Sequence, residues 1–264
     1  MQGIVTTSSN PSDDLRIKAK AYASMICWPY IEREASNKAM LNELLTKEPF
    51  LPQLIVGKDR LFVVVGDERF YYHPSMSKLR IENLKQGKGD TLLEILDLKP
   101  GDSVLDGTLG LASDALVIAY SLFPDIKVIG LEASPLLALL VREGLANLKK
   151  SEPSLSIASQ AIEVISGNSQ DYLSQQKDRS IDVIYFDPMF RHTKKASSSA
   201  EILRKLGNPS PISTSLIAEA LRVARKKVVL KERSFSHEFS RLGFEEVRGG
   251  KYSPVAYGIL EVKN

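Results

Sequence analysis

The feature that most constrains the fold of this chain is a set of three short apolar strands, each of which ends in a polar or glycine-containing turn. The three segments cover Val104–Asp114, Val128–Glu132 and Ile181–Phe190. In a parallel α/β sheet, ligands bind outside the carboxyl ends of the strands, at the point where the strand order reverses. The three strand ends therefore predict one shared binding site at one edge of a parallel sheet.

The residues at the first two strand ends predict a site for a nucleoside cofactor. Gly110 allows close approach of the backbone to a ligand, and a helix over 113–121 would direct free N–H groups toward it. Glu132 ends the next strand, where an acidic residue accepts hydrogen bonds from both ribose hydroxyls. The run Gly107-Thr-Leu-Gly110-Leu-Ala112 lacks the G-x-G-x-x-G fingerprint that admits a pyrophosphate. We therefore expect S-adenosylmethionine (SAM) rather than a dinucleotide.

The turn after the third strand, Asp187-Pro188-Met189-Phe190, suits methyl transfer to an exocyclic base amine. The lone pair of such an amine is delocalised into the ring, so positioning is the main catalytic task. Asp187 and the Pro188 carbonyl can accept hydrogen bonds from the amine, while Phe190 offers a face on which a flipped base can stack. This chemistry requires no metal ion. With one cysteine and three histidines that lack metal-ligand spacing, we predict no metal site.

The distribution of charge points to an anionic partner. Residues 189–251 contain 14 Lys or Arg against 6 Asp or Glu, whereas the net charge of the whole chain is only +3. A basic region beside the catalytic turn attracts phosphate backbones, and a solvated basic face is the alternative. The candidate contacts to a nucleic-acid substrate are Arg191, Lys194, Lys195 and Arg233.

Length and hydropathy limit the classes of protein to which this chain can belong. At 264 residues, 43% of them hydrophobic, the chain can bury a substantial core. No apolar run reaches the roughly 18 residues that a membrane span requires, and the N-terminus lacks the pattern of a secretory signal. We therefore expect a cytoplasmic protein that does not enter a membrane. The oligomeric state is not determined by the sequence.

Residues 1–88 are predicted to form a small N-terminal α+β module. Ser12 or Asp13 can cap an amphipathic helix that extends to Ile26, and a second helix is expected near 36–46. Glycine-containing turns separate three later strands, which predicts an antiparallel meander. The expected strands of this module are Ile4–Thr7, Leu54–Val56, Leu61–Val65 and Arg69–Tyr72.

Residues 89–264 are predicted to form a larger α/β domain in which strands and helices alternate. Five parallel strands followed by a C-terminal antiparallel hairpin are the natural assembly of this pattern. The expected strands lie near 103–107, 127–132, 161–166, 181–187, 227–232, 243–248 and 254–262, with helices near 113–121, 135–149 and 213–224.

Four segments of the chain carry a family resemblance, namely 70–80, 106–115, 187–190 and 228–233. They resemble class I SAM-dependent methyltransferases, and specifically the small-subunit ribosomal RNA guanine-N2 methyltransferase J family and its Gram-positive-type relatives. The motif Asp-Pro-Met-Phe is the most specific of the four. The first 70 residues match that family poorly.

This resemblance implies a Rossmann-like class I methyltransferase sheet, SAM as the cofactor, and guanine N2 of ribosomal RNA or of a small-subunit precursor as the acceptor. DNA adenine, a protein amide, a small metabolite and a non-catalytic RNA-binding role are the alternatives. Purely structural roles also stay open for Asp106, Asp187, Phe190 and Arg233. The implied cofactor-binding residues are Asp106, Thr108, Gly110, Asp114, Glu132, Asn168 and Ser169.

Overall fold

Two β-sheets organise the computed structural model of the protein. A four-stranded sheet near the N-terminus is followed by a seven-stranded sheet. None of the helices in the described ranges has the length and apolar character needed to cross a membrane. The structure describes residues 3–33, 35–188, 206–207, 210–249 and 253–263.

The smaller sheet confirms the predicted meander and adds one parallel strand. Strands β2, β3 and β4 pair antiparallel in sequence order, and β1 pairs parallel with β2. Helix α1 packs on this sheet, and its first turn is capped by Ser12, whose Oγ accepts a hydrogen bond from the Leu15 amide at 3.3 Å. The elements are β1 (Ile4–Thr7), α1 (Asp13–Ile26), α2 (Ala35–Lys47), β2 (Gln53–Val56), β3 (Leu61–Val65) and β4 (Glu68–Phe70).

The larger sheet confirms the predicted α/β architecture. Its order is β10-β11-β9-β8-β5-β6-β7, in which β7, β6, β5, β8 and β9 are parallel and β11 is antiparallel to both of its neighbours. The strands are β5 (Ser103–Asp106), β6 (Lys127–Glu132), β7 (Ile162–Ser166), β8 (Ile181–Phe186), β9 (Ala224–Arg233), β10 (Glu246–Arg248) and β11 (Val255–Glu261). The strand order reverses between β5 and β8, so the carboxyl ends of these strands form a crevice for a ligand.

Helices cover both faces of the larger sheet, and the four shortest of them were not predicted. The four are α4, α7, α8 and α10, which have only four to seven residues each. Helices of that length contain too few turns for an apolar period of 3.6 residues to be recognised. The helices are α3 (Ser77–Lys85), α4 (Thr91–Leu96), α5 (Ser113–Leu122), α6 (Pro135–Ser151), α7 (Pro153–Ser159), α8 (Ser169–Ser174), α9 (Thr214–Val223) and α10 (Glu238–Arg241).

The two sheets share helix α6. Its Leu136, Leu139 and Leu140 are buried in the core of the N-terminal sheet, whereas Leu137 and Val141 belong to the core of the larger sheet. Helix α3 precedes the predicted boundary at residue 88, and yet its Ile81 is buried in the core of the larger sheet. The division into residues 1–88 and 89–264 stays a prediction, and the packing joins the two units through a common helix.

Candidate active site

A cleft of about 300 Å³ lies at the carboxyl ends of the parallel strands, where the sequence predicts a shared site. Loops after β5, β6, β7 and β8 form one side of the cleft, and residues around the start of α9 form the other. The predicted site residues that line it are Thr108, Gly110, Glu132, Asn168, Ser169, Asp187 and Pro188.

The turn after β5 is tied to the turn after β8. Asp106 is only 2% exposed, and its Oδ1 accepts a hydrogen bond from the Thr108 amide at 3.0 Å. The Thr108 hydroxyl oxygen in turn accepts from the amide of Asp187 at 2.5 Å. Burial raises the pKa of Asp106 to about 8. Asp106 therefore stabilises the turn after β5 from its buried side. Thr108 connects the cofactor side of the cleft with the Asp-Pro turn.

Gly107 was not predicted as a site residue, and packing explains why it is glycine. A Cβ at this position would overlap the ring of Phe186, the last residue of the neighbouring strand β8. The turn therefore approaches β8 more closely than any residue with a side chain allows. Because contact with a residue far along the chain imposes this requirement, the local sequence could not reveal it.

Glu132 is held at the cleft wall by backbone amides. Its Oε2 accepts from the Gly110 amide at 3.1 Å and its Oε1 from the Ser134 amide at 2.8 Å. Gly110 adopts a φ of +52°, which lies in the left-handed region that favours glycine. Burial raises the pKa of Glu132, although the amides that donate to the carboxylate act in the opposite direction. The carboxylate is thus pre-oriented beside the glycine turn.

Asn168 and Ser169 have structural contacts as well as a position in the cleft. The side-chain oxygen of Asn168 caps α8 by accepting from the Gln170 amide at 2.7 Å. The Ser169 hydroxyl donates to the carbonyl of Gly107. These contacts link the turn after β7 to the turn after β5, and their role in cofactor binding stays a prediction.

A set of charged and phenolic side chains, here called the ionic cluster, lies next to Asp187. Lys231 of β9 donates to Oδ2 of Asp187 at 2.7 Å and to Oδ2 of Asp114 at 2.8 Å. Asp114 also accepts from the Tyr185 hydroxyl at 2.7 Å and from Arg80. The cluster consists of these five residues. Asp114, which we expected to bind the cofactor, is not among the residues that line the cleft.

Charge interactions within the ionic cluster shift the pKa values of its two aspartates in opposite directions. Burial, together with the charge of Asp114, raises the pKa of Asp187 to about 7, while the charge of Lys231 acts in the opposite direction. Although burial also opposes ionisation of Asp114, Lys231 and Arg80 lower the pKa of that carboxyl. Against the effect of burial, the two carboxylates raise the pKa of Lys231. Asp114 is therefore the permanent anion of the cluster, and Asp187 is the group that titrates near neutrality.

Sequence reasoning assigned no role to Lys231 or Arg80, although one signal was present. Lys231 follows Val228-Val-Leu near the end of the predicted strand 227–232, and its side chain is only 19% exposed. A lysine that is buried to this extent needs an anionic partner. The partners themselves come from α5 and β8, so that only the fold could identify them.

Of the other predicted site residues that the structure describes, Asp106 and Arg233 are not among those that line the cleft. Arg233 is the last residue of β9 and is exposed, and its amide donates to the Glu232 side chain at 2.7 Å. Phe190, Arg191, Lys194 and Lys195 lie outside the described residues, and their roles stay predictions.

The expectation that the basic excess sits beside the catalytic turn is wrong for the start of β9. Strand β9 spans the whole sheet, so that its first residues lie at the edge opposite to the cleft. There Arg225 pairs with Asp182 at 3.2 Å and Lys226 with Asp102 at 2.5 Å. These cations neutralise acids of the same chain, and a charge sum over a sequence window cannot reveal such pairing.

Comparisons with known proteins agree with this geometry. A family profile described as "Putative SAM-dependent methyltransferase" matches residues 69–241. The chain is 35% identical to the uncharacterized protein YpiP of Bacillus subtilis over 98% of its own length and 99% of the relative. It is 34% identical to ribosomal RNA small subunit methyltransferase J of Coxiella burnetii, but that match covers 63% of this chain and 65% of the relative.

A solved structure extends the similarity to the fold of the whole chain. The structure of a SAM-dependent methyltransferase from Neisseria gonorrhoeae superposes with a TM-score of 0.68. The match covers 98% of this chain and 96% of that chain, at 16% sequence identity. At this identity the similarity concerns the fold alone.

Proposed function

Because this chain belongs to the family of SAM-dependent methyltransferases whose profile it matches, we propose that it methylates an exocyclic base amine, guanine N2, of ribosomal RNA. One observation carries this proposal. A single cleft joins the glycine turn and Glu132 to Asp187 and Pro188. A cofactor bound at the first pair would therefore lie next to an acceptor held by the second.

The residues of the cleft fit SAM. A volume of about 300 Å³ is at the lower end of the range for small-molecule sites, roughly 300–1,000 Å³. The carboxylate of Glu132 is oriented to accept from ribose hydroxyls, and the backbone around Gly110 leaves open space beside the turn. Asn168 and Ser169 would contact the adenine ring. When bound, SAM supplies a methyl group on a positively charged sulfur.

Asp187 and Pro188 would prepare the acceptor amine. Hydrogen bonds from the amine to the Asp187 carboxylate and to the Pro188 carbonyl would localise electron density on nitrogen and aim its lone pair. Attack of the nitrogen on the methyl carbon would break the bond from that carbon to sulfur, and the nitrogen would then lose one proton to solvent. The bond from the Asp187 amide to Thr108 fixes this turn against the cofactor side of the cleft.

The choice of RNA as substrate is supported by relatives and by composition. Relatives named ribosomal RNA small subunit methyltransferase J are 31–34% identical over 58–63% of this chain. Phe190 would stack on the flipped base, while Arg191, Lys194 and Lys195 would contact phosphates.

Methyl transfer from labelled SAM tests the proposal. Purified protein is incubated with small ribosomal subunits, total RNA, DNA and protein, each taken from a strain that lacks the gene, and labelled RNA is digested for nucleoside mass spectrometry. We expect N2-methylguanosine in ribosomal RNA. The variant Asp187→Ala should lose at least about a hundredfold in turnover while still binding S-adenosylhomocysteine. Label in a metabolite or protein fraction alone would contradict the RNA assignment.

A further inference from the structure

The ionic cluster combines two cations, Arg80 and Lys231, with the carboxylates of Asp114 and Asp187. Asp114 is already satisfied by two partners, because it accepts from Arg80 and from the Tyr185 hydroxyl. Arg80 is itself fixed by Asp90, whose two oxygens accept from Nε at 2.7 Å and from a terminal nitrogen at 2.8 Å. Asp114 therefore has two donors of its own besides the ammonium group of Lys231, which it shares with Asp187.

Asp187 is the group that gains from Lys231. The parallel register pairs Phe186 with Leu230, so that Lys231 lies beside Asp187 where β8 ends. Lys231 contacts one carboxylate oxygen, Oδ2, and no residue of the described part of the chain donates to the other oxygen, which can accept from a substrate amine. Within the described part of the chain, the ion pair of Asp187 is with Lys231.

We propose that Lys231 is a positioning residue for methyl transfer, which holds the Asp187 carboxylate in its orientation and stabilises its negative charge, and that Asp114 anchors Lys231. This inference rests on the proposed function, in which Asp187 accepts hydrogen bonds from the acceptor amine. Lys231 is not among the cleft-lining residues, so it acts through Asp187 rather than on substrate or cofactor.

Removal of the Lys231 charge and removal of the Asp114 charge should shift the pKa of Asp187 in opposite directions. Loss of a cation at this distance disfavours the charged carboxylate, and loss of an adjacent anion favours it. We expect Lys231→Met to raise the pKa of Asp187 by about 1 to 3 units, and Asp114→Asn to lower it. The groups that face Asp187 and Lys231 from the packed elements are Asp106, Asp114, Tyr185 and Tyr257, with Arg80 behind them.

A titration by nuclear magnetic resonance tests the inference without a substrate. Protein labelled with carbon-13 at the aspartate carboxyl groups is titrated, and the Asp187 signal is assigned by its loss in Asp187→Asn. Lys226→Met is the matched control, because it removes an ion pair of the same kind from the opposite end of β9. Lys231→Gln, which keeps a hydrogen-bond donor, replaces Lys231→Met if the methionine variant does not fold.

Kinetics on small ribosomal subunits from the deletion strain give the second readout. In the neutral Lys231 variant we expect kcat at pH 7 to fall about tenfold or more, while KM changes little. The acidic limb of the plot of kcat against pH should move to higher pH. Affinity for S-adenosylhomocysteine should change by less than about threefold. Lys231→Arg, which keeps the charge, should restore part of kcat.

The outcomes separate this inference from the proposed function. If the neutral Lys231 variant has the same Asp187 pKa as the wild type and the acidic limb of its kcat profile lies at the same pH, the inference is overturned. If Asp187→Ala retains full turnover, the role of Asp187 itself is wrong, whatever the Lys231 variants do. Lys226→Met should match the wild type in both readouts.

Discussion

At the scale of single residues, we expect Glu132 to determine cofactor affinity. Its carboxylate is oriented by the Gly110 and Ser134 amides, and its replacement by alanine would remove a charge-assisted ribose contact. We predict that Glu132→Ala weakens binding of S-adenosylhomocysteine by about 1.5–3 kcal/mol, roughly tenfold to a hundredfold, in isothermal titration calorimetry. The control Glu163→Ala removes a carboxylate from neighbouring β7 that pairs with Lys127. Equal affinities in folded variants would refute the ribose contact.

A second property that we expect a single residue, Asp187, to set is the pH dependence of turnover. The pKa of Asp187 is raised to about 7, and the ionised carboxylate is a stronger acceptor for an amine N–H than the neutral acid. Protonation below this pKa converts one oxygen into a donor, so kcat should fall about tenfold for each pH unit below roughly 7 and reach a plateau above it. A kcat profile that stays flat from pH 5.5 to 8.5 would show that ionisation of Asp187 is not required.

At the scale of elements, the junction between β5 and α5 depends on the contact of Gly107 with β8. Because a Cβ would overlap Phe186, we predict that Gly107→Ala lowers the free energy of unfolding by about 1–3 kcal/mol, as measured by urea denaturation. The control is Gly167→Ala in the turn after β7, where a Cβ meets nothing within 4 Å. It should leave stability within about 0.5 kcal/mol of the wild type. If both variants lose stability equally, the Phe186 contact is not the cause.

At the scale of the whole molecule, helix α6 should make the two sheets unfold together. Leu139 is buried in the core of the N-terminal sheet, and this core also contains Trp28, the one tryptophan of the chain. We predict that Leu139→Ala destabilises the protein by about 2–5 kcal/mol. Tryptophan fluorescence and far-ultraviolet circular dichroism should report coincident transitions in both proteins. An earlier fluorescence transition would mean that the N-terminal sheet unfolds by itself.

Binding of RNA is also a property of the whole molecule, because it depends on which cations remain available after folding. We predict that Lys194→Gln with Lys195→Gln weakens binding of ribosomal RNA and flattens the slope of log affinity against log salt by up to about two units. The control Arg225→Gln with Lys226→Gln removes cations that already pair with Asp182 and Asp102. Anisotropy titrations at several salt concentrations measure both. An equal effect of the two double variants would indicate nonspecific attraction.

The sequence by itself determined the architecture and the position of the site. Alternation of apolar strands with amphipathic helices encodes a parallel sheet locally, and residues that follow strand ends must meet at one edge. Gly110, Glu132 and Asp187 could therefore be placed together before any coordinates were known. Their conformations depend on near neighbours, as the bonds of Glu132 to the Gly110 and Ser134 amides illustrate.

Only the tertiary structure decided what surrounds these residues. The ion pairs of Lys231 with Asp114 and Asp187 join residues that are far apart in the chain, and sequence spacing has no information on such contacts. The same holds for the contact of Gly107 with Phe186. It also holds for the cations at the start of β9, which pair with acids on other strands or loops, as Lys226 does with Asp102. Side-chain partners, and the charge states that follow from them, are set by the packing of distant elements, because electrostatic interactions depend on distance in space rather than along the chain.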